Sequence, residues 1–153
     1  MSNLSSISDL ETHLGYWLRF VSNQVSAAFA QTVADKGVSV AEWVLMRELF
    51  DQEPQAPSSL AERMGMTRGA ISKLSDKLQD KGLIAVWPDI SDKRRQDLSL
   101  TVQGRALVPE LAALADRNDA EFFGHLGEAD RAAIKAAMIG IVRRRGLKTV
   151  PID

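Results

Sequence analysis

Apolar residues return every three or four positions from Ile7 to about Asp35. Leu10, Leu14, Trp17, Leu18, Val21, Val25 and Phe29 form one stripe, the spacing of an amphipathic helix. Ser8 with Glu11 has capping-box spacing at its start, and Gly37 is placed to cap its end. Ser39 and Glu42 repeat the box before a second helix with Trp43, Met46, Leu49 and Phe50 on its apolar face. Pro54 and Pro57 stop that helix and leave a short extended connector. Ser59 to Glu62 reads as a third capping box, opening a short helix to about Met64 that Gly65 breaks. Thr67 caps the next helix, which runs to Lys81 before Gly82. Leu83 to Val86 has strand-like composition, Pro88 to Arg95 is charged and turn-like, and Gln96 to Leu100 alternates like a half-buried strand. Thr101 caps a long helix through Leu107, Leu111 and Leu114. A break near Gly124 to Gly127 precedes a last, alanine-rich helix with Ile134, Met138, Ile141 and Val142. The pattern predicts a mainly α protein with one small β-hairpin.

Composition narrows the function. The chain has 153 residues, 45% apolar and 25% charged, enough for a single domain with a proper core. Without cysteine it has no disulfide framework, thiol redox centre or cysteine-bound zinc. No leader pattern and no apolar run of bilayer-spanning length is visible, so a soluble, cytoplasmic protein is expected. The net charge of −1 is unevenly spread. Between Ser58 and Arg95 eight Lys and Arg face five Asp and Glu, a surplus of three cations, which leaves −4 elsewhere. A basic centre in an acidic chain suits a local phosphate contact.

The segment from Ser58 to Thr101 carries the chemistry. A helix-turn-helix needs a small residue where its helices pack and a residue tolerant of positive φ in the turn. Ala61 and Gly65 supply them, and Ile71, Leu74 and Leu78 anchor the second helix. Its other face carries Arg68, Gly69, Ser72, Lys73, Asp76 and Lys77. Arg68 and Ser72 lie four apart near the N-terminus, where a recognition helix meets base edges. Lys73 and Lys77 are better placed for phosphates, and Thr67 with the helix N-terminus can hold another. In the hairpin turn, Lys93, Arg94 and Arg95 follow Asp92. An arginine at such a tip can enter a narrow minor groove, where the potential is most negative.

These residues resemble the MarR family of winged helix-turn-helix regulators. The resemblance rests on Leu60-Ala61-Glu62-Arg63-Met64-Gly65, on Ile71, Leu74 and Leu78, and on Lys81-Gly82-Leu83-Ile84. It continues through Asp92-x-Arg94 and Leu98-x-Leu100-Thr101-x-x-Gly104-Arg105, the most specific part, and covers nearly the whole chain. Gly69 departs from it, since many relatives carry a larger side chain there. The resemblance implies a single MarR-like domain over residues 1–153, with a winged helix-turn-helix lobe at 38–100 and dimerisation helices at 1–37 and 101–153. It implies a homodimer on a pseudo-palindromic operator in double-stranded DNA. Leu4, Ile7 and Leu10 at one end, with Ile134, Met138, Ile141, Leu147, Val150 and Ile152 at the other, suit such pairing.

Similar regulators often bind small aromatic or lipophilic acids between the dimer helices and the DNA-binding lobe. Leu14, Trp17, Trp43, Met46 and Arg47 are the candidate lining here, an arginine among indoles suiting an aromatic carboxylate. Taken alone, Trp17 or Trp43 reads more simply as plain core. His13 and His125 are the only histidines, too few for a metal site, and neither metal nor cofactor is expected. The first expectation is a repressor released by a small ligand. The second is a DNA binder without an effector, controlled by abundance or a protein partner. A small helical enzyme is a remote third, since no nucleophile motif or phosphate loop occurs.

Overall fold

The computed structural model describes residues 6–88 and 96–152. Among them a 3₁₀ turn (Leu10–Thr12) leads to α1 (Leu14–Ala34), α2 (Val40–Asp51), α3 (Pro57–Met64) and α4 (Arg68–Asp80). The hairpin β1 (Ile84–Pro88) and β2 (Gln96–Leu100) follows, then α5 (Val102–Phe123) and α6 (Glu128–Arg145).

Local hydrogen bonds start three of the helices. Ser39 Oγ accepts from Glu42 N at 3.1 Å, and Ser39 N donates to Glu42 Oε1 at 2.9 Å. Thr67 Oγ1 accepts from Ala70 N at 3.1 Å. Thr101 Oγ1 accepts from Gly104 N at 3.0 Å and donates to Gly82 O at 2.7 Å, tying the start of α5 to the turn before β1. Each cap satisfies an amide that the helix itself leaves without a partner.

The core lies between α2, α3, α4, α5 and the hairpin. Leu45, Met46, Leu49, Leu60, Met64, Ile71, Leu78, Leu98 and Leu111 are fully buried there. β1 and β2 pair antiparallel with Ile84 opposite Leu100 and Trp87 opposite Asp97. The backbone of Gln55 bonds Leu98 in both directions, at 3.0 and 2.8 Å, adding a one-residue third strand. A Cβ on Gly104 would lie 2.0 Å from Leu83 O, so α5 crosses the entry to the hairpin at backbone contact.

Two helix starts differ from the sequence reading. α1 begins at Leu14, not Ile7, and Ser8 does not cap it. Asp9 and His13 are extended on either side of the 3₁₀ turn, and the Trp17 indole N–H donates to Glu11 O at 2.8 Å. The apolar side chains of Ile7 and Leu10 are exposed, so burial among the described residues gives no support to an α-helix there. α3 begins at Pro57, not Ser59, with no side-chain cap. Proline at the first helical position needs no N–H and has its φ preset, so Pro57 opens a helix instead of ending one.

The outer helices bury little. α6 has no buried residue in its 18, and α1 has only Val33 in 21. After α6 the chain returns to the helix-turn-helix, where Val150 N donates to Met64 O at 3.3 Å. Among the described residues, no helix is long and apolar enough to cross a membrane.

Candidate nucleic-acid interface

The turn between α3 and α4 is built on Gly65, whose φ of 64° lies in the left-handed region that glycine enters without steric cost. Met66 N donates to Ala61 O at 2.9 Å and closes the turn. Ala61 is buried where the two helices meet. A Cβ on Gly65 would fall 2.6 Å from Lys148 O and 2.8 Å from Thr149 Cα. Glycine is therefore required twice, by its dihedral and by the tail packed on it.

α4 is amphipathic in the sense needed for reading a duplex. Ile71, Ser75 and Leu78 are buried and Leu74 is half-buried. Arg68, Gly69, Ser72, Lys73, Asp76 and Lys77 are all exposed, as is Thr67. With Ala70 N satisfied by Thr67, the remaining first-turn amides lack an intrahelical partner and can hold a phosphate. Lys93, Arg94 and Arg95 lie outside the described residues; the strands flanking them are paired as far as Pro88 and Gln96.

Ion pairs that the sequence reading missed fix this surface. Lys81 Nζ, just past α4, donates to both carboxylate oxygens of buried Glu42 at 2.8 and 2.9 Å. Burial pushes the Glu42 carboxyl up. The hydrogen bonds from Lys81 and from the Ser39 amide and hydroxyl, with the Lys81 charge, outweigh it and leave the pKa below the usual value. Arg63 of α3 reaches Glu48 at 2.5 Å, Gln52 Oε1 at 2.9 Å and Gln55 Oε1 at 3.1 Å. Glu53 accepts from Leu100 N at 2.7 Å and from Arg105, whose guanidinium lies over the Phe50 ring. α2 and the connector after it thus form the frame to which α3, α4 and the hairpin are pinned. These partners lie up to 52 positions apart, beyond any local spacing rule.

The five candidate pocket residues do not share one cavity. Met46 is fully buried in the core. Arg47 is exposed and pairs with Asp51 at 2.7 Å. Leu14 and Trp17, 79% and 49% exposed, stand on the outer end of α1. Trp43 alone lines a cleft of about 260 Å³, with Val25 and Phe29 of α1, Val40 and Val44 of α2, and Asn118 of α5. Trp43 and Met46 are three apart on α2, and its packing turns one to the cleft and the other to the core. Asp119 is the charged member of the described lining. Among the described residues no cluster of metal-binding side chains occurs. The third tryptophan, Trp87, is 58% exposed on β1, its indole N–H donating to Ser99 Oγ at 2.8 Å.

Known proteins agree with this geometry. The MarR family model matches residues 38–95, the span from α2 into the hairpin turn. The transcriptional repressor NicR of Pseudomonas putida is 25% identical over 82% of this chain and 80% of its own length. The repressor MdtR of Bacillus subtilis is 26% identical over 72% and 71%. BpsR of Bordetella bronchiseptica, a protein whose DNA binding is regulated by 6-hydroxynicotinic acid, has a solved structure similar to this chain. It superposes with a TM-score of 0.77 at 26% identity, covering 89% of this chain and 97% of that one. The capped, outward-facing α4 on its hairpin-bearing core, together with these comparisons, gives the chain a winged helix-turn-helix fold that is MarR-like over residues 38–95 and similar to DNA-binding transcriptional regulators.

Proposed function

We propose that the chain acts as a homodimeric repressor that reads a pseudo-palindromic operator and is released by a small aromatic ligand. The observation that carries this reading is the exposed face of α4, with Arg68 and Ser72 near its open N-terminus and Lys73 and Lys77 behind them. Residues 38–100 form the reading lobe, and residues 1–37 and 101–153 pair the subunits. Support for pairing comes from α6, which buries nothing within the chain while exposing Ile134, Met138, Ile141 and Val142. Apolar surface of that extent is what a partner helix covers. Two recognition helices must then stand roughly 34 Å apart to meet successive major grooves.

The cleft beside Trp43 is the proposed effector site. It touches both the pairing helices α1 and α5 and the frame helix α2. A ligand there need favour one helix spacing by only a few kcal/mol to release DNA. Asp119 disfavours a carboxylate at the mouth, so a neutral aromatic ring fits this lining better than an acid. Selection of duplexes from a randomised pool tests the DNA half. Recovery of a two-fold motif supports it, and recovery of no motif removes it. Thermal shift with neutral and acidic aromatic compounds tests the other half: a melting temperature rising with ligand concentration supports an effector. No shift with either class favours a regulator controlled by abundance.

A further inference from the structure

We infer that Arg143, Arg144, Arg145 and Lys148 form a second phosphate-binding surface, on the inner side of the recognition helix. From Met138 to Ile152 these four cations occur with no Asp or Glu. All four residues are exposed, and among the described residues none is held in an ion pair. A helix C-terminus favours cations in its last turn. That preference does not account for Lys148, which lies beyond the left-handed cap at Gly146.

The position of the run points to DNA. Lys148 O packs against Gly65, and Gly65 stands two residues before Thr67, the cap of α4. The N-terminal end of a recognition helix is the end that enters the groove. Arg145, three residues before Lys148, is within on the order of 10 Å of that turn by chain length alone. Successive helical residues are about 100° apart, so the three arginines fan around the end of α6 and spread positive charge over that end. The tail also borders Ser22, Asn23 and Ser26 of α1, a pairing helix, so the patch lies on the dimer side of α4. Its partner is therefore the phosphate backbone between the two half-sites.

This inference rests on the DNA-binding reading, and one experiment separates the two. Wild type is titrated with its selected duplex at several salt concentrations, beside a variant carrying Arg143→Gln, Arg144→Gln and Arg145→Gln. A shallower salt dependence is expected, by about 0.9 in the log–log slope for each phosphate no longer neutralised, with unchanged sequence preference. The corresponding Arg→Lys triple variant should recover the slope. An unchanged slope in a folded glutamine variant of wild-type association state overturns the inference. Failure of wild type to bind any duplex overturns the DNA reading instead. Ethylation interference on the wild-type complex needs no substitution: interference between the half-sites supports the patch, and interference confined to the half-sites and their flanks overturns it.

Discussion

At Gly69 a methyl group would meet nothing nearer than the Thr67 hydroxyl, 4.0 Å away. Glycine inside a helix costs roughly 1 kcal/mol relative to alanine. Gly69→Ala should therefore raise stability by about 0.5–1 kcal/mol in urea unfolding. If DNA closely approaches α4 at this point, the same methyl lowers affinity; a stabilised variant with unchanged affinity would show that it does not. Arg68, Ser72 and Lys77 are all exposed, and their expected losses differ in kind. Arg68→Ala or Ser72→Ala should relax base preference, with about 1–3 kcal/mol of discrimination lost at the base pair each one reads. Lys77→Ala should weaken all sequences alike and lower the salt slope by about 0.9. Competition between matched and mismatched duplexes distinguishes them, and unaltered preference in Arg68→Ala would move the base contact elsewhere.

At the scale of elements, α2 anchors the helix-turn-helix. Glu42 is buried and Lys81 is partly exposed, so losing the pair costs less than for two buried charges. Glu42→Gln should destabilise by about 1–2 kcal/mol at neutral pH. The Glu42 pKa is lowered on folding. Its contribution is thus complete above the unfolded carboxyl value and disappears as pH falls below it towards the folded one. Urea midpoints of wild type and variant should converge in acid, and a constant gap would show that Glu42 does not titrate as its surroundings imply. The caps at Ser39, Thr67 and Thr101 were legible because their partners lie three residues away, and so were the hairpin and the turn at Gly65. Arg63 with Glu48, Glu42 with Lys81, and the tail against Gly65 join distant segments, and nothing in local spacing marks them. Pro57 was ambiguous for another reason: proline both ends helices and begins them. Periodicity at Ile7 and Leu10 misled because it records an apolar face whether or not the chain itself has a surface to receive it.

At the scale of the whole molecule, α1 and α6 carry apolar side chains that stay exposed among the described residues. Ile141→Glu places a charge in the proposed pairing region, at a side chain 52% exposed in the single chain. Sedimentation should show monomer, while the melting of the winged lobe stays close to wild type. Persistence of the dimer would move pairing away from α6. The three tryptophans are distributed along the same lines: Trp17 on the outer end of α1, Trp43 in the cleft, Trp87 on the hairpin. The protein thereby contains a native fluorophore at each place where an event is proposed. Replacing two at a time with phenylalanine would leave a chain whose emission follows subunit association, ligand entry or duplex docking alone, with no dye attached.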